Sequence, residues 1–356
     1  GVVIAEGNYH ENGSEGKIHW GRSMDKAEVE AANHYITRYP EGYVPPTDPD
    51  ANKPIGSGNL DGGLKWSLTK AGTLTISGSG AMPDFVKTSD QPWVSHADKI
   101  LSIVVENGVT AVGSNAFQGS KAISATIPAS VKTIGSGAFQ NCKSLISVTV
   151  SEGVESIGDS AFHACTALKS INLPASISSV GVGVFMECTE LSAVKFSAGS
   201  QPVSIGDSLF LRCYKLSSVT LPKNINCIGN DMFLACLMLS TLNIPQGAKS
   251  IGERAFSSCS MLTAISVPDS VEKIGIAAFQ SSAIKDIYYS GSEAQWNAIQ
   301  KLGDVPTSLQ NITVHFNSSL PDAGTDPDPG PDPGHEHVWN SGAVTSPADC
   351  TSSGVR

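Results

Sequence analysis

The feature that most constrains this chain is a glycine that returns at near-constant spacing. Gly113, Gly135, Gly158, Gly181, Gly206, Gly229, Gly252 and Gly275 are separated by 22, 23, 23, 25, 23, 23 and 23 residues. Four residues after each glycine stands a phenylalanine: Phe117, Phe139, Phe162, Phe185, Phe210, Phe233, Phe256 and Phe279. Three residues further on come Cys142, Cys165, Cys188, Cys213, Cys236 and Cys259, with Ser120 and Ser282 at the same place in the first and last units. A short apolar alternation then follows: SVTVS, SINLP, AVKFS, SVTLP, TLNIP or AISVP. Units this small cannot bury an apolar face alone, so they must stack and share one core.

The alternation gives each unit a shape. Ile171 and Leu173 point to one side of a short strand and Asn172 to the other. The prolines at 128, 174, 222, 245 and 268 close strands because they lack the ladder donor. A second apolar pair, such as Val154 and Ile157 or Val271 and Ile274, reads as another extended piece before the glycine. Segments such as GDSAFHAC carry Asp or Ser near their start and are expected to form one or two helical turns. The expected fold is therefore an α/β repeat solenoid of about eight 23-residue units with short strands and short helical turns.

The pattern L..I.LP.SV..IG..AF..C..L, best matched by Leu168 to Leu191 and by Leu262 to Phe279, resembles the BspA-like leucine-rich repeat of bacterial cell-surface proteins. The resemblance covers roughly half the chain and implies a curved, right-handed leucine-rich-repeat array, exported from the cell, in a family several of whose members bind host matrix or blood proteins. Three departures stand out. The first unit is one residue short, FSAGSQPVSIG (196–206) carries two extra residues, and the last unit replaces its strand end with IYYSG. The second departure predicts altered geometry of the sheet near residue 200.

On this reading residues 113–287 form the array. Residues 56–112, with alternation around Trp66, Leu68, Leu74 and Ile76 and a short helix near QPWVSHADK, form an N-terminal β-rich cap. Residues 288–320, with Trp296 and the strand NITVHF, form the closing cap; Trp66, Trp93 and Trp296 read as packed residues. Residues 1–55 are an unassigned segment and linker, with a helix expected over 24–39. An acidic, proline-rich linker spans 321–334. Residues 335–356 resemble the start of a further module; His335, His337 and Cys350 would be half of a metal site, and alone they read as a solvated fragment.

Candidate chemistry is sparse. There is no GxSxG, HExxH or Walker loop, and His163 alone among the eight histidines lies inside a repeat. The cysteine ladder reads as small, buried filler, since Ser takes the same slot and parallel Cβ vectors disfavour bridging. No enzyme activity, cofactor or metal is expected. The formal charge of −10 argues against nucleic acid. No apolar run is long enough to span a bilayer, and a targeting signal or anchor is expected outside this chain.

What remains is the strand surface. If the apolar positions point inward, Thr126, Thr149, Asn172, Lys195, Thr220, Asn243, Ser266 and Tyr288 form an outward row, the candidate ligand-binding face. A second candidate is the widened turn Ser197–Pro202 with Arg212, Tyr214 and Lys215. Two functions stay open. One is a cell-surface or secreted scaffold adhering to a host or neighbouring-cell protein; the other is a carbohydrate-binding or spacer module of a larger polysaccharide-processing surface protein.

Overall fold

The computed structural model describes residues 8–11, 14–17, 50–303, 309 and 311–320. The chain divides into two compact units, residues 1–53 and 54–356. In the first, strands Asn8–Glu11 and Ser14–Lys17 pair antiparallel. The helix expected over 24–39, the linker 321–334 and the fragment 335–356 lie outside the described residues.

The second unit is a β-solenoid whose turns repeat every 23 or so residues, each contributing to three walls. The first wall holds the longer strands. Lys65–Thr69 pairs antiparallel with Pro54–Asn59 on one side and Thr73–Ser77 on the other. From Thr73–Ser77 onward the order is parallel, through Ser102–Val105, Ser124–Ile127, Ser147–Val150, Ser170–Leu173, Ala193–Phe196 and Ser218–Thr220. A separate four-stranded sheet continues the wall with Thr241–Asn243, Ala264–Val267, Asp286–Tyr289 and Thr313–Phe316. Side chains alternate as the sequence requires, with Ile171 and Leu173 buried and Ser170 and Asn172 exposed.

The second wall is built from two-residue strands just before each repeat glycine, such as Thr133–Ile134, Ser156–Ile157 and Ser179–Val180. Here the glycines are required by close approach. A Cβ on Gly158 would sit 2.6 Å from the Ser136 amide nitrogen, and one on Gly181 2.6 Å from that of Asp159. Both obstacles are backbone, which cannot yield without breaking the wall.

The third wall replaces the expected helical turns. Residues two and six beyond each glycine hold left-handed backbone: Ser160 and Ala164, Ser208 and Arg212, Asp231 and Ala235, Arg254 and Ser258. The N–H groups of Gly137, Phe139 and Asn141 donate to Asp159, Ala161 and His163 of the next unit at 2.9, 2.7 and 2.8 Å. The alternate residues close short turns, as when Gln140 N–H donates to Gly137 O and Cys142 N–H to Phe139 O. An α-helix would send these donors back along its own chain and leave successive units unjoined on this side. Turn backbone wins because stacking needs the donors, and the only α-helix among the described residues is Glu293–Ala298, capped by Ser292. The helical component of the expected α/β fold is thus corrected to a wall of turns.

The phenylalanines fill the interior as a continuous column. Successive ring centroids from Phe117 to Phe279 lie 5.1 to 5.9 Å apart. Trp93 stacks on Phe117 at 5.6 Å and meets Trp66 and Phe85 edge-on, so the tryptophans of 56–112 pack as expected. At the other end Trp296 packs edge-on against buried Tyr289, with the Lys301 ammonium 4.8 Å from its ring centroid.

The glycine column gives a direct test. Gly158→Ala forces a methyl group into backbone, and overpacking of this kind costs about 2–3 kcal/mol. Thermal unfolding should show a clear loss of stability for Gly158→Ala, whereas Gly119→Ala, where a Cβ meets nothing within 4 Å but backbone φ is 74°, should lose less. Equal losses would refute the close-approach account.

Candidate functional site

The strand wall brings the predicted row together, in two stretches. Thr126 pairs in register with Thr149, and Asn172 with Lys195, which in turn pairs with Thr220. Beyond the break between sheets, Asn243, Ser266, Tyr288 and His315 follow one another in register. Thr126, Thr149, Asn172, Lys195, Thr220 and Asn243 are exposed. None of their side chains makes a hydrogen bond or ion pair among the described residues. Beside them runs a row of small residues, Ser124, Ser147, Ser170, Ala193 and Ser218.

Two of the eight predicted positions depart from the expectation. Ser266 is buried at 7% exposure, and Tyr288 is half-buried. The reason is local: Tyr288 is the register neighbour of Ser266 and stands stacked on His315, with ring centroids 4.6 Å apart and planes 15° apart. The Tyr288 ring on the adjacent strand shields the small Ser266, which lies in register between it and Asn243. His315 also holds Asp286 through Nε2 at 2.8 Å, so this end of the wall carries a Tyr–His–Asp cluster. The sequence signal for it is the alternation of NITVHF, which puts His315 on the same face as Tyr288 once the two strands are parallel.

The second candidate does not assemble. The turn Ser197–Pro202 follows strand Ala193–Phe196, whereas Arg212, Tyr214 and Lys215 precede strand Ser218–Thr220. Because those strands are parallel and in register, the two groups sit at opposite strand ends. Arg212 and Lys215 are engaged instead with Glu187 and Glu190 of the preceding unit at 2.9 and 2.7 Å. The same kind of pairing recurs away from the strand face, where Lys132 pairs with Glu155, Arg254 with Asp231 and Lys249 with Glu272, each across one unit. His163 likewise contacts its neighbours' Gln140 and Glu187.

An exposed aliphatic row was not anticipated. Leu101, Ile123 and Ile146, each one residue before its strand, are 42–49% exposed and bonded in series, with Ile123 N–H donating to Leu101 O and Ile146 N–H to Ile123 O. Only their place at the start of the alternation could have signalled it.

The cysteine ladder is packed, and it does more than fill space. Each of the six thiols lies 3.0–3.2 Å from the carbonyl oxygen of the phenylalanine one unit earlier, to which it donates. The seven described cysteines are all free. Burial pushes the Cys188 and Cys259 thiols up to about 12 and raises those of Cys165, Cys213 and Cys236. Thiolate nucleophilicity and metal ligation both need the ionised form, so the ladder is chemically quiet. No group of three or more His, Cys, Asp or Glu suited to a metal is found among the described residues.

Two consequences are measurable. Iodoacetamide at neutral pH should modify half-buried Cys227 alone among the seven described cysteines, as read by peptide mass, and labelling of Cys188 or Cys213 in the native state would contradict the burial argument. Because folding raises the Cys188 and Cys259 pKa values above the ordinary thiol value of 9.0, the unfolded chain releases those protons first. Stability from this source is complete below about pH 9 and is lost as pH rises toward about 12. A Cys188→Ser/Cys259→Ser variant should therefore show a shallower decline of Tm over that interval than the unsubstituted chain.

A family model identifies the repeat. The BspA type Leucine rich repeat region matches in six copies over residues 95–203 and 194–299, together more than half of the chain. A leucine-rich repeat protein from Bacteroides ovatus is 28% identical, with a TM-score of 0.48, over 63% of this chain and 57% of its own. One from Eubacterium ventriosum is 21% identical, with a TM-score of 0.35, over 64% of this chain and 95% of its own. A leucine rich cell surface protein from Faecalibacterium prausnitzii is 23% identical, with a TM-score of 0.30, over 68% of this chain and 97% of its own. No curated protein matches. The repeat profile, the in-register walls and the phenylalanine and thiol ladders converge on one assignment: the chain belongs to the family of BspA-type leucine-rich repeat proteins.

Proposed function

We propose that this chain is a non-catalytic binding scaffold displayed on or released from a bacterial cell, holding a host or neighbouring-cell surface protein against its strand wall. The carrying observation is the uncommitted row Thr126, Thr149, Asn172, Lys195 and Thr220. On the turn and edge surfaces several charges pair between units, as Lys132–Glu155 and Lys215–Glu190 do, while this row presents its donors, acceptors and one ammonium together on a parallel sheet. Exposed hydrogen-bonding groups in fixed register add little to stability, yet they suit contact with an extended partner. The end segments, with antiparallel strands at one side and the helix Glu293–Ala298 at the other, act in this reading as caps that shield the terminal apolar faces.

A second reading is a carbohydrate-binding module. It is favoured by the small hydroxyl and amide side chains of the row and by the Tyr288–His315–Asp286 cluster, an aromatic and acidic pairing suited to sugars. The row lacks the Trp and Arg that dominate protein hot spots.

The deciding experiment screens the full chain against matrix glycoproteins, plasma proteins and polysaccharides, alongside Asn172→Ala/Lys195→Ala and Tyr288→Ala variants. A protein ligand whose affinity falls about tenfold or more in the first variant, roughly 1.4 kcal/mol, supports the scaffold reading. Glycan binding lost in Tyr288→Ala supports the second. Binding left intact by both variants, with unchanged Tm, removes the strand wall as the site.

A further inference from the structure

At one place in the stack the turns come apart on two walls and hold on the third. The nine-stranded sheet ends at Ser218–Thr220, and the next strand of that wall, Thr241–Asn243, opens a new sheet. On the second wall the six-stranded sheet ends at Ser204–Ile205, and Cys227–Ile228 begins another. Both breaks separate the same two successive turns. From Gly135 onward every other repeat glycine donates to the preceding turn, as Gly206 N–H does to Val180 O and Gly252 N–H to Ile228 O, both at 2.8 Å; no such bond joins Gly229 to Ile205.

The turn wall is unaffected by the break. Ser208, Phe210 and Arg212 N–H groups donate to Asn230, Met232 and Leu234 at 2.8, 2.9 and 2.8 Å. The Cys236 thiol still donates to Phe210 O, and Asp207 still accepts from the Asn230 amide. The phenylalanine column runs through the junction, with the Phe210 and Phe233 ring centroids 5.4 Å apart and their planes at 31°, the same tilt as Phe117–Phe139 within the unbroken sheet. Ile205 and Val219, inward residues facing the break, are only partly buried, while their equivalents Val180 and Val194 are 2% exposed.

A cause lies one turn earlier. The two extra residues of 196–206 lengthen the turn beneath the break, and the next turn is held on it by unusual bonds: Val203 N–H donates to Asn224 O at 3.2 Å, and Asn224 Nδ2 to Ser200 O at 3.0 Å. Those bonds draw the 221–226 segment toward the bulge and away from the ladder position.

We propose that this junction is a hinge, in which the strand wall consists of two plates, 73–220 and 241–316, that open and close about the intact turn wall at Phe210 and Phe233. Closure would pair Ser218–Thr220 with Thr241–Asn243 at the 23-residue register and bury Ile205 and Val219; opening leaves those backbone groups to solvent. The two states exchange one short ladder for hydration of the same groups, a small difference, so both are accessible. Under the binding reading above, a ligand lying across both plates would be gripped by the change of angle. The hinge itself belongs to the free chain and is tested without a ligand, so its failure and that of the binding reading are separable.

The test is pulsed electron paramagnetic resonance on spin-label pairs matched in rung separation. Thr149→Cys/Asn243→Cys spans the junction in four steps, and Thr126→Cys/Thr220→Cys spans four steps within one plate, about 19 Å if every step is a regular strand spacing. Both are made with Cys227→Ser and Cys350→Ser, the ladder thiols staying unlabelled by burial. A cross-junction distribution at least twice as wide as the in-plate one, narrowed on deletion of Ser200 and Gln201, is expected. Equal widths would overturn the hinge, including the case of a longer mean distance with no added width, which describes a fixed wedge. Should a labelled variant misfold, hydrogen exchange on the unsubstituted chain decides: peptide 239–244 should exchange at least tenfold faster than its equivalent 262–267 yet remain slower than after unfolding in denaturant, and either equal protection or no protection at all, as a fixed wedge gives, overturns the proposal.

Discussion

Backbone hydrogen bonding between successive turns is the interaction on which the rest depends. Strand ladders fix neighbouring turns at about 4.8 Å. On two walls the bonds are those of short parallel strands, and on the third they come from turn backbone whose alternate N–H groups point at the next unit. Every other feature is shaped to this spacing. Glycines let the second wall close, phenylalanine rings fall 5.1–5.9 Å apart because their backbones are held so, and thiols reach the phenylalanine carbonyl of the turn before.

The same spacing decides what the surface can do. A side chain on any exposed position has its equivalent one turn away, so charges of opposite sign placed there find each other, as in Lys215–Glu190 and Arg254–Asp231. Threonine and asparagine on the strand wall do not satisfy one another in that way. The distinction between a spent surface and a receptive one is thus a matter of which residue types occupy equivalent positions.

Much of this was legible in the sequence, because spacing is what the sequence records best. The glycine and phenylalanine periods, the inward and outward parity of SINLP and the packed role of Cys165 all follow from residue type at fixed intervals. The turn wall was only partly legible: some of its left-handed positions hold residues that favour that backbone, such as Asn115, Gly137, Asn141 and Gly183, but others hold Ser160, Ala164, Glu187 and Arg212, which do not, so the segment looked helical. The burial of Ser266 was hidden for another reason, since it depends on the size of Tyr288 on the adjacent strand rather than on parity. The parting of the sheets had one trace, the 25-residue interval before Gly206, which signalled disturbed geometry but not on which walls.

The thiol ladder carries a chemical consequence. Six sulfurs in a row have the look of a redox relay or a store of disulfides, but each proton is committed to a backbone oxygen and each sulfur is shut from water. Oxidants, heavy metals and thiol-exchange partners in the surrounding medium meet only the outer residues. The ladder is therefore shielded from the redox state of its surroundings, aerobic or anaerobic.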